Sequence, residues 1–318
     1  MSDYPQRIRT YQNHHLDSTR WDAVRIRPGD IVVSTSAKAG TTWTQRILSL
    51  LLFGPGDLPG LLFEISPWVD CRYMEPLDVA IARIEAQRHR RFLKSHLPLD
   101  ALPWDPQVRH LCVGRDTRDV FMSLWNHYQA YNDAMYETLV SFDPPGDPLP
   151  RCPESPRDLW PAWMTRGSFP WESDGWPFWS HHYQVGSFWR FRHLPNVLMV
   201  HYNDLLADLP GEMRRIAGFL EIEVPEAGWP ALVDAARFET MKRSATALLG
   251  DMDRFAGGAG TFIYKGSNGR WRDVLEDSDL ALYEEAAAAL DPGLRAWLEG
   301  GRLVAGDPGA EAVTPMPR

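Results

Sequence analysis

The stretch Ser34 to Trp43, STSAKAGTTW, follows the apolar run Ile31-Val32-Val33 and leads into the helix-like TQRILSLLLF. Apolar strand, glycine-bearing loop and helix together let a backbone wrap an anion. Gly40 permits close approach, the N–H groups of residues 39 to 42 can point inward, and Thr41 and Thr42 add hydroxyl donors at a helix N-terminus that favours negative charge. Lys38 supplies a full positive charge. A nucleoside-triphosphate loop ends in Gly-Lys-Ser/Thr, whereas here the lysine precedes the glycine. The plainer alternative is a helix start in which Thr41 or Thr42 caps a free N–H and Lys38 points to water.

The same strand-loop-helix pattern recurs along the chain. DIVVSTS precedes TTWTQRILSLLLF, RHLCVGRD precedes RDVFMSLWNHYQAY, and NVLMVHYND precedes PGEMRRIAGFLEI. This alternation predicts an α/β fold with a central, mainly parallel sheet and helices on both faces. Ligands of such sheets bind at the carboxyl ends of the strands, here just after Val33, Val113 and Val200. Residues 141–180 are rich in Pro, Gly, Trp and acidic residues without a sustained period, and read as a long ordered loop or lid with short helical turns. The Gly-rich stretch 250–271 suits a mould around an anion or a mobile flap. The tail 306–318 reads as frayed, and residues 1–318 as one domain without internal repeats.

Composition narrows the function classes. A formal net charge of −9 disfavours nucleic acid or an anionic membrane as partner, so any anion site must be a local pocket. The longest apolar stretch, Ile47 to Phe53 with Ser49 intervening, is far short of the ~20 residues that span a bilayer. The N-terminus has no secretory signal pattern, and three cysteines without zinc-like spacing suit reduced thiols, so a cytoplasmic location is expected. The pairs His14-His15 and His181-His182 lack a third ligand at a known spacing, and neighbours on a strand face opposite ways, so no metal site is expected.

Four segments together resemble the cytosolic-type sulfotransferases, in the form of a bacterial-looking member. STSAKAGTTW is similar to that family's phosphosulfate loop, T-Y-P-K-S-G-T-T-W, and RFLKSHLP (residues 91–98) to its K-T-H-L-P segment. CVGRDTRDVFMSLWNHY (112–128) resembles its 3′-phosphate strand-loop-helix, with Arg115 and Ser123 eight residues apart. FIYKGSNGRW (262–271) resembles the R-K-G-x-x-G-x-W loop that closes over the nucleotide. The likeness runs from about Asp30 to Leu275 and is thinnest over 132–180.

The resemblance implies a sulfotransferase fold with a P-loop-like phosphosulfate-binding loop. It implies 3′-phosphoadenosine 5′-phosphosulfate (PAPS) as donor, 3′,5′-adenosine bisphosphate (PAP) as product, and a small hydroxyl-bearing acceptor. His96 would be the general base, with a turn histidine satisfied by backbone as the alternative. Lys38 would contact the bridging oxygen and Lys94 the sulfuryl oxygens, unless both are solvated. Lys38, Ala39, Gly40, Thr41 and Thr42 would hold the phosphosulfate, with Arg115, Ser123, Lys265 and Gly266 on the 3′-phosphate. Trp43, Tyr202, Phe238 and Met241 would surround the adenine. Tyr264 stands where the family has arginine, so one contact to the 3′-phosphate is missing unless Arg270 reaches in. Ala39 replaces the usual serine, and the animal dimer motif is absent after Trp271, leaving any homo-oligomer interface unreadable.

The acceptor expected is a hydrophobic alcohol or phenol, with a sugar as the other possibility. Its pocket would draw on Phe63, Trp68, Tyr73, Met74 and the aromatic residues of 160–189. Two other readings stay open: a P-loop kinase using Asp204 as a magnesium ligand, and a non-catalytic nucleotide-binding protein.

Overall fold

The computed structural model describes residues 3–309. Four strands form one sheet in the order β2-β1-β3-β4, with β1 at Ile31–Thr35, β2 at Phe92–Ser95, β3 at Arg109–Gly114 and β4 at Val197–His201. Every neighbouring pair is parallel; Val33 pairs with Lys94 on one side and Leu111 on the other, and Cys112 with Met199. Parallel strands are buried on both faces, and their apolar runs supply two cores by alternation. Val32, Leu93, Cys112 and Met199 face a cluster that includes Phe121, Trp160, Trp163 and Phe188. Ile31, Val33, Phe92, Leu111 and Val200 face one that includes Ile47, Leu48, Met213, Ile216 and Trp229.

The helices after β1 and β3 are the ones that position the site. Helix α1 (Thr41–Phe53) is ended by Gly54 at φ 84°, whose N–H reaches back to the Leu50 carbonyl. Helix α2 (Thr117–Gln129) starts at Asp116, whose side chain accepts the Arg118 N–H. His181–Trp189 forms a third helix, α3, packed on the sheet against β3 and β4.

Residues 141–180 are more regular than their composition suggests. A ten-residue helix, Pro156–Thr165, begins with Ser155 as cap and proline in the first turn, and buries Leu159, Trp160, Trp163 and Met164. Proline punctuation hid an amphipathic helix. In the tail, Arg192 Nε donates to the Pro308 carbonyl at 2.8 Å. Residues 310–318 of that tail lie outside the described residues.

Gly114 closes β3 beside the indole of Trp297, and an added Cβ would sit 2.2 Å from that ring. Gly114→Ala is expected to cost about 1–3 kcal/mol through overpacking. Urea denaturation should show a lower midpoint with an unchanged slope, and an unshifted midpoint would contradict this packing.

Candidate active site

A cavity of about 460 Å³ opens where β1, β2, β3 and β4 end. Between β1 and α1 the chain turns sharply: Lys38 adopts φ 63° and Gly40 φ 127°. A Cβ at Gly40 would stand 3.1 Å from the Tyr202 ring, so that position needs glycine for both conformation and space. Gly40 is the residue preceding α1 and makes no side-chain cap. The first helical bond is Thr44 N–H to the Gly40 carbonyl, leaving the N–H groups of residues 41–43 without helical partners. Neither threonine acts as the cap; Thr41 Oγ1 instead pairs with Thr35 Oγ1 at 2.5 Å. Ala39 departs from its expected place. Its side chain is buried in the core, and its N–H bonds the Ser36 carbonyl at 3.4 Å rather than facing the cavity. The missing serine hydroxyl therefore costs the cavity nothing.

Lys38, Lys94, Arg115, Lys265 and Arg270 all line this cavity, and none forms a salt bridge with a described residue. Aromatic faces stand in for counter-anions. Lys38 Nζ lies 4.5 Å over Phe262, Lys94 Nζ 4.2 Å over Trp68, and the Arg115 guanidinium 4.1 Å over Tyr202. Burial, then the charges of Lys94, Arg115 and Arg270, pull the Lys38 ammonium down to about 7. Burial alone pulls Lys94 to about 8 against the opposing influence of Cys71 and Asp70. Burying unpaired cations costs several kcal/mol each, so the site is built for a polyanion.

His96 sits one residue past β2 with its side chain in the same cavity. Its Nδ1 donates to the Thr35 carbonyl at 2.7 Å, which fixes the neutral tautomer and leaves Nε2 as a bare acceptor. Its backbone N–H bonds buried Asp70, which also accepts from Trp68 and Trp21. The ring is held between Trp68, edge-on at 4.8 Å, and Trp179 at 5.3 Å. Burial first, then Lys94 and Lys38, hold its pKa well below the usual histidine value.

A second basic subsite lies after β3. Arg115 is buried, and the alternative surface pairing does not occur: Asp116 pairs with Arg118, and Asp119 accepts the Gly269 N–H. Arg115 instead spans both loops. Nη1 donates to the Lys38 carbonyl at 3.2 Å, Nε and Nη2 to Asn268 Oδ1 at 3.0 and 2.7 Å, and Nη2 to the Ser267 carbonyl. The Gly-rich segment, expected as a mould around an anion or a mobile flap, is thus tied to Arg115 at the cavity. Ser123 lines the same side. Trp43 is fixed by its Nε1 donating to the Ala236 carbonyl, and Tyr202 by its hydroxyl donating to the Gly266 carbonyl. Gly266 lies against the Phe238 ring, where a Cβ would come within 2.4 Å. Phe238, Met241, Tyr264, Lys265 and Arg270 complete the rim, with the Arg270 guanidinium 5.3 Å over Tyr264. Arg270 thus reaches the same cavity as Tyr264. Asp204, the imagined metal ligand, is spent on the N–H groups of Arg302 and Leu303.

Comparison with known proteins agrees with this geometry. Residues 28–290 match the sulfotransferase domain family. The chain belongs to the sulfotransferase family. A glycolipid sulfotransferase of Mycobacterium bovis is 35% identical over 322 residues, covering 95% of this chain and 97% of that protein. Human sulfotransferase 1E1 is 26% identical over 234 residues, 70% of this chain and 71% of that one. Among solved structures, a retinol dehydratase in complex with androsterone and PAP superposes with TM-score 0.63 at 23% identity, covering 86% and 84% of the two chains. Mouse sulfotransferase SULT7A1 complexed with PAP gives TM-score 0.64 at 16% identity, covering 84% and 85%.

Two features of this sulfotransferase escaped sequence reasoning. His181 and His182 are on a helix, not a strand, and His181 bridges the two anion loops: Nδ1 meets Ser36 Oγ at 2.6 Å and Nε2 donates to the Arg115 carbonyl at 3.0 Å. Lysine usage was the signal available. Only four of the 33 Lys and Arg residues are lysines. Lys38, Lys94 and Lys265 line the cavity, and Lys242 donates to the Tyr264 carbonyl on its rim at 2.5 Å. No group of three or more metal-ligating side chains occurs among the described residues. No helix among them is long and apolar enough to cross a membrane.

With so few lysines, isotopic methylation followed by NMR resolves each one. The Lys38 resonance should titrate near 7 and the Lys94 resonance near 8. Titration of both above 10 would mean that they face water.

Proposed function

We propose that this sulfotransferase uses PAPS to sulfate a hydroxyl of an acceptor with an apolar body, a glycosylated lipid foremost, with His96 as general base. The observation that carries the reading is the convergence, in one cavity, of unpaired cations, a row of free N–H groups and a bare imidazole nitrogen. The residues fit the donor. The turn at residues 38–43 offers N–H groups and an ammonium to the 5′-phosphosulfate, while Arg115, Ser123, Lys265 and Arg270 offer the charge that a ribose 3′-phosphate needs. Trp43, Tyr202, Phe238 and Met241 provide apolar surface for a purine. The acceptor class rests on the walls and on kinship. Phe63, Trp68, Tyr73, Met74, Phe178 and Trp179 line the cavity near His96, and the mycobacterial relative is named for glycolipids.

In this mechanism His96 Nε2 takes the acceptor hydroxyl proton as the oxygen forms its bond to sulfur. The bond from sulfur to the phosphate oxygen breaks, and PAP is the leaving group. Lys38 neutralises the charge that collects on the departing oxygen, and Lys94 that on the sulfuryl oxygens. An acceptor-filled cavity excludes water, which strengthens both interactions.

His96→Ala should abolish transfer from radiolabelled PAPS while PAP affinity, measured by calorimetry, stays within about three-fold, since general-base loss costs about 10²–10⁴-fold. An active variant would refute the role of His96. The pH profile follows from the two shifted groups. His96 must be neutral, and its depressed pKa keeps it so below the ordinary histidine range. Lys38 must be charged, and in the free enzyme that charge is lost as pH rises through about 7. The value of kcat/KM should therefore hold from pH 7 down past 6 and fall above 7. An acid limb at an ordinary histidine pKa would contradict the burial argument.

A further inference from the structure

Asp70 is fully buried and does not itself line the cavity, yet its carboxylate collects groups that do. Oδ1 accepts the Trp21 Nε1–H at 3.1 Å, and Oδ2 accepts the Trp68 Nε1–H at 2.8 Å and the His96 N–H at 3.1 Å. Indole and backbone N–H groups only donate, and Ser95 Oγ, a further neighbour, already accepts the Leu97 N–H. A proton on this carboxyl would displace a donor, so the donors hold it as an anion against the opposing effect of burial. Trp68 carries that charge to the site. The Lys94 ammonium stands 4.2 Å over its ring, and the same ring meets His96 edge-on at 4.8 Å. An indole N–H bonded to a carboxylate pushes electron density into the ring, and linked polar groups polarise one another in a dry interior, so the face under Lys94 attracts a cation more strongly than a free indole would. Of the other titratable groups that feel Lys94, Lys38 repels it, and burial keeps His96 and His127 neutral. The Cys71 thiol is pushed up to about 12 by burial and stays protonated where Lys94 titrates, which leaves Asp70 as the balancing anion.

We propose that Asp70 is a positioning residue: through the Trp68 indole and the His96 N–H it fixes the place of the base and keeps the Lys94 ammonium charged, without touching donor or acceptor. The inference rests on the transferase reading for what the base and the ammonium do, and adds the group that holds them. A direct ion pair would occupy Lys94. A carboxylate acting across an indole supports the cation and leaves its N–H donors free for an incoming anion.

Asp70→Asn tests this, because the amide nitrogen keeps the shape but must face either Trp21 or the Trp68–His96 pair, donor against donor. Three quantities are read: the Lys94 titration by NMR of the isotopically methylated protein, its resonance assigned by loss in Lys94→Arg; PAP affinity by calorimetry; and kcat and KM with radiolabelled PAPS and octyl β-D-glucopyranoside. The Lys94 midpoint should lie about one pH unit below that of the natural protein, since removing a carboxylate disfavours the charged amine. The kcat should fall about ten- to hundred-fold through misplacement of the base. PAP affinity should stay within about three-fold, because the groups assigned to its phosphates do not touch Asp70. Trp68→Phe keeps a ring and removes the N–H, so it too should lower the Lys94 midpoint, and it carries the test if Asp70→Asn does not fold. An unmoved Lys94 midpoint, an equal loss of PAP binding and turnover, or an effect confined to KM would overturn the proposal. Failure of the natural protein to sulfate the glucoside would count against the transferase reading, with the Lys94 midpoints still deciding this inference.

Discussion

The interaction on which the rest of the molecule depends is the contact of Arg115 with the carbonyl of Lys38 and the segment around Asn268. It ties together the loops after β1 and β3 and the Gly-rich segment, three pieces remote in sequence. His181 repeats the tie from beneath by holding Ser36 and the Arg115 carbonyl. The parallel sheet brings these loops to one edge, but the buried guanidinium and imidazole fix their separation. The cost of burying Arg115, Lys38 and Lys94 without carboxylates falls on the folded protein, offset in part by three aromatic faces. That arrangement stores the positive potential that a polyanionic donor would meet on entry.

The cavity divides chemically. Toward the strand ends it is cationic, while toward Phe178 and Trp179 it is aromatic with neutral histidines. Neutrality there follows first from burial and then from the cations, because the fields of Lys38 and Lys94 also oppose a charge on His96 and His127. One group of charges thus has two effects: a positive potential in the cavity and a neutral His96.

Much of the fold was legible from residues. Ile31-Val32-Val33, Leu111-Cys112-Val113 and Leu198-Met199-Val200 are apolar runs too short for helices, each followed by a helical period, and a doubly covered parallel sheet follows from that alternation. Phe92-Leu93 was harder, because its strand is four residues long and enters the argument through His96. The helix Pro156–Thr165 was hidden by prolines at its start and interior, although its apolar face is clear once the helix is known. At the site, Lys38, Gly40, Arg115 and His96 were readable because each sits at a strand end in a recognisable local pattern. His181 and Asn268 were not. Their roles come from contacts spanning tens of residues or more, which no local spacing encodes.

The measurement that bears most directly on the central claim is a crystal structure with PAP and an acceptor glycoside bound. The account places the 5′-phosphate against residues 38–43, the 3′-phosphate against Arg115 and Ser123 with Asn268 displaced, and an acceptor hydroxyl within hydrogen-bond reach of His96 Nε2. A nucleotide bound elsewhere, or His96 turned away from the acceptor with its bond to the Thr35 carbonyl broken, would contradict it.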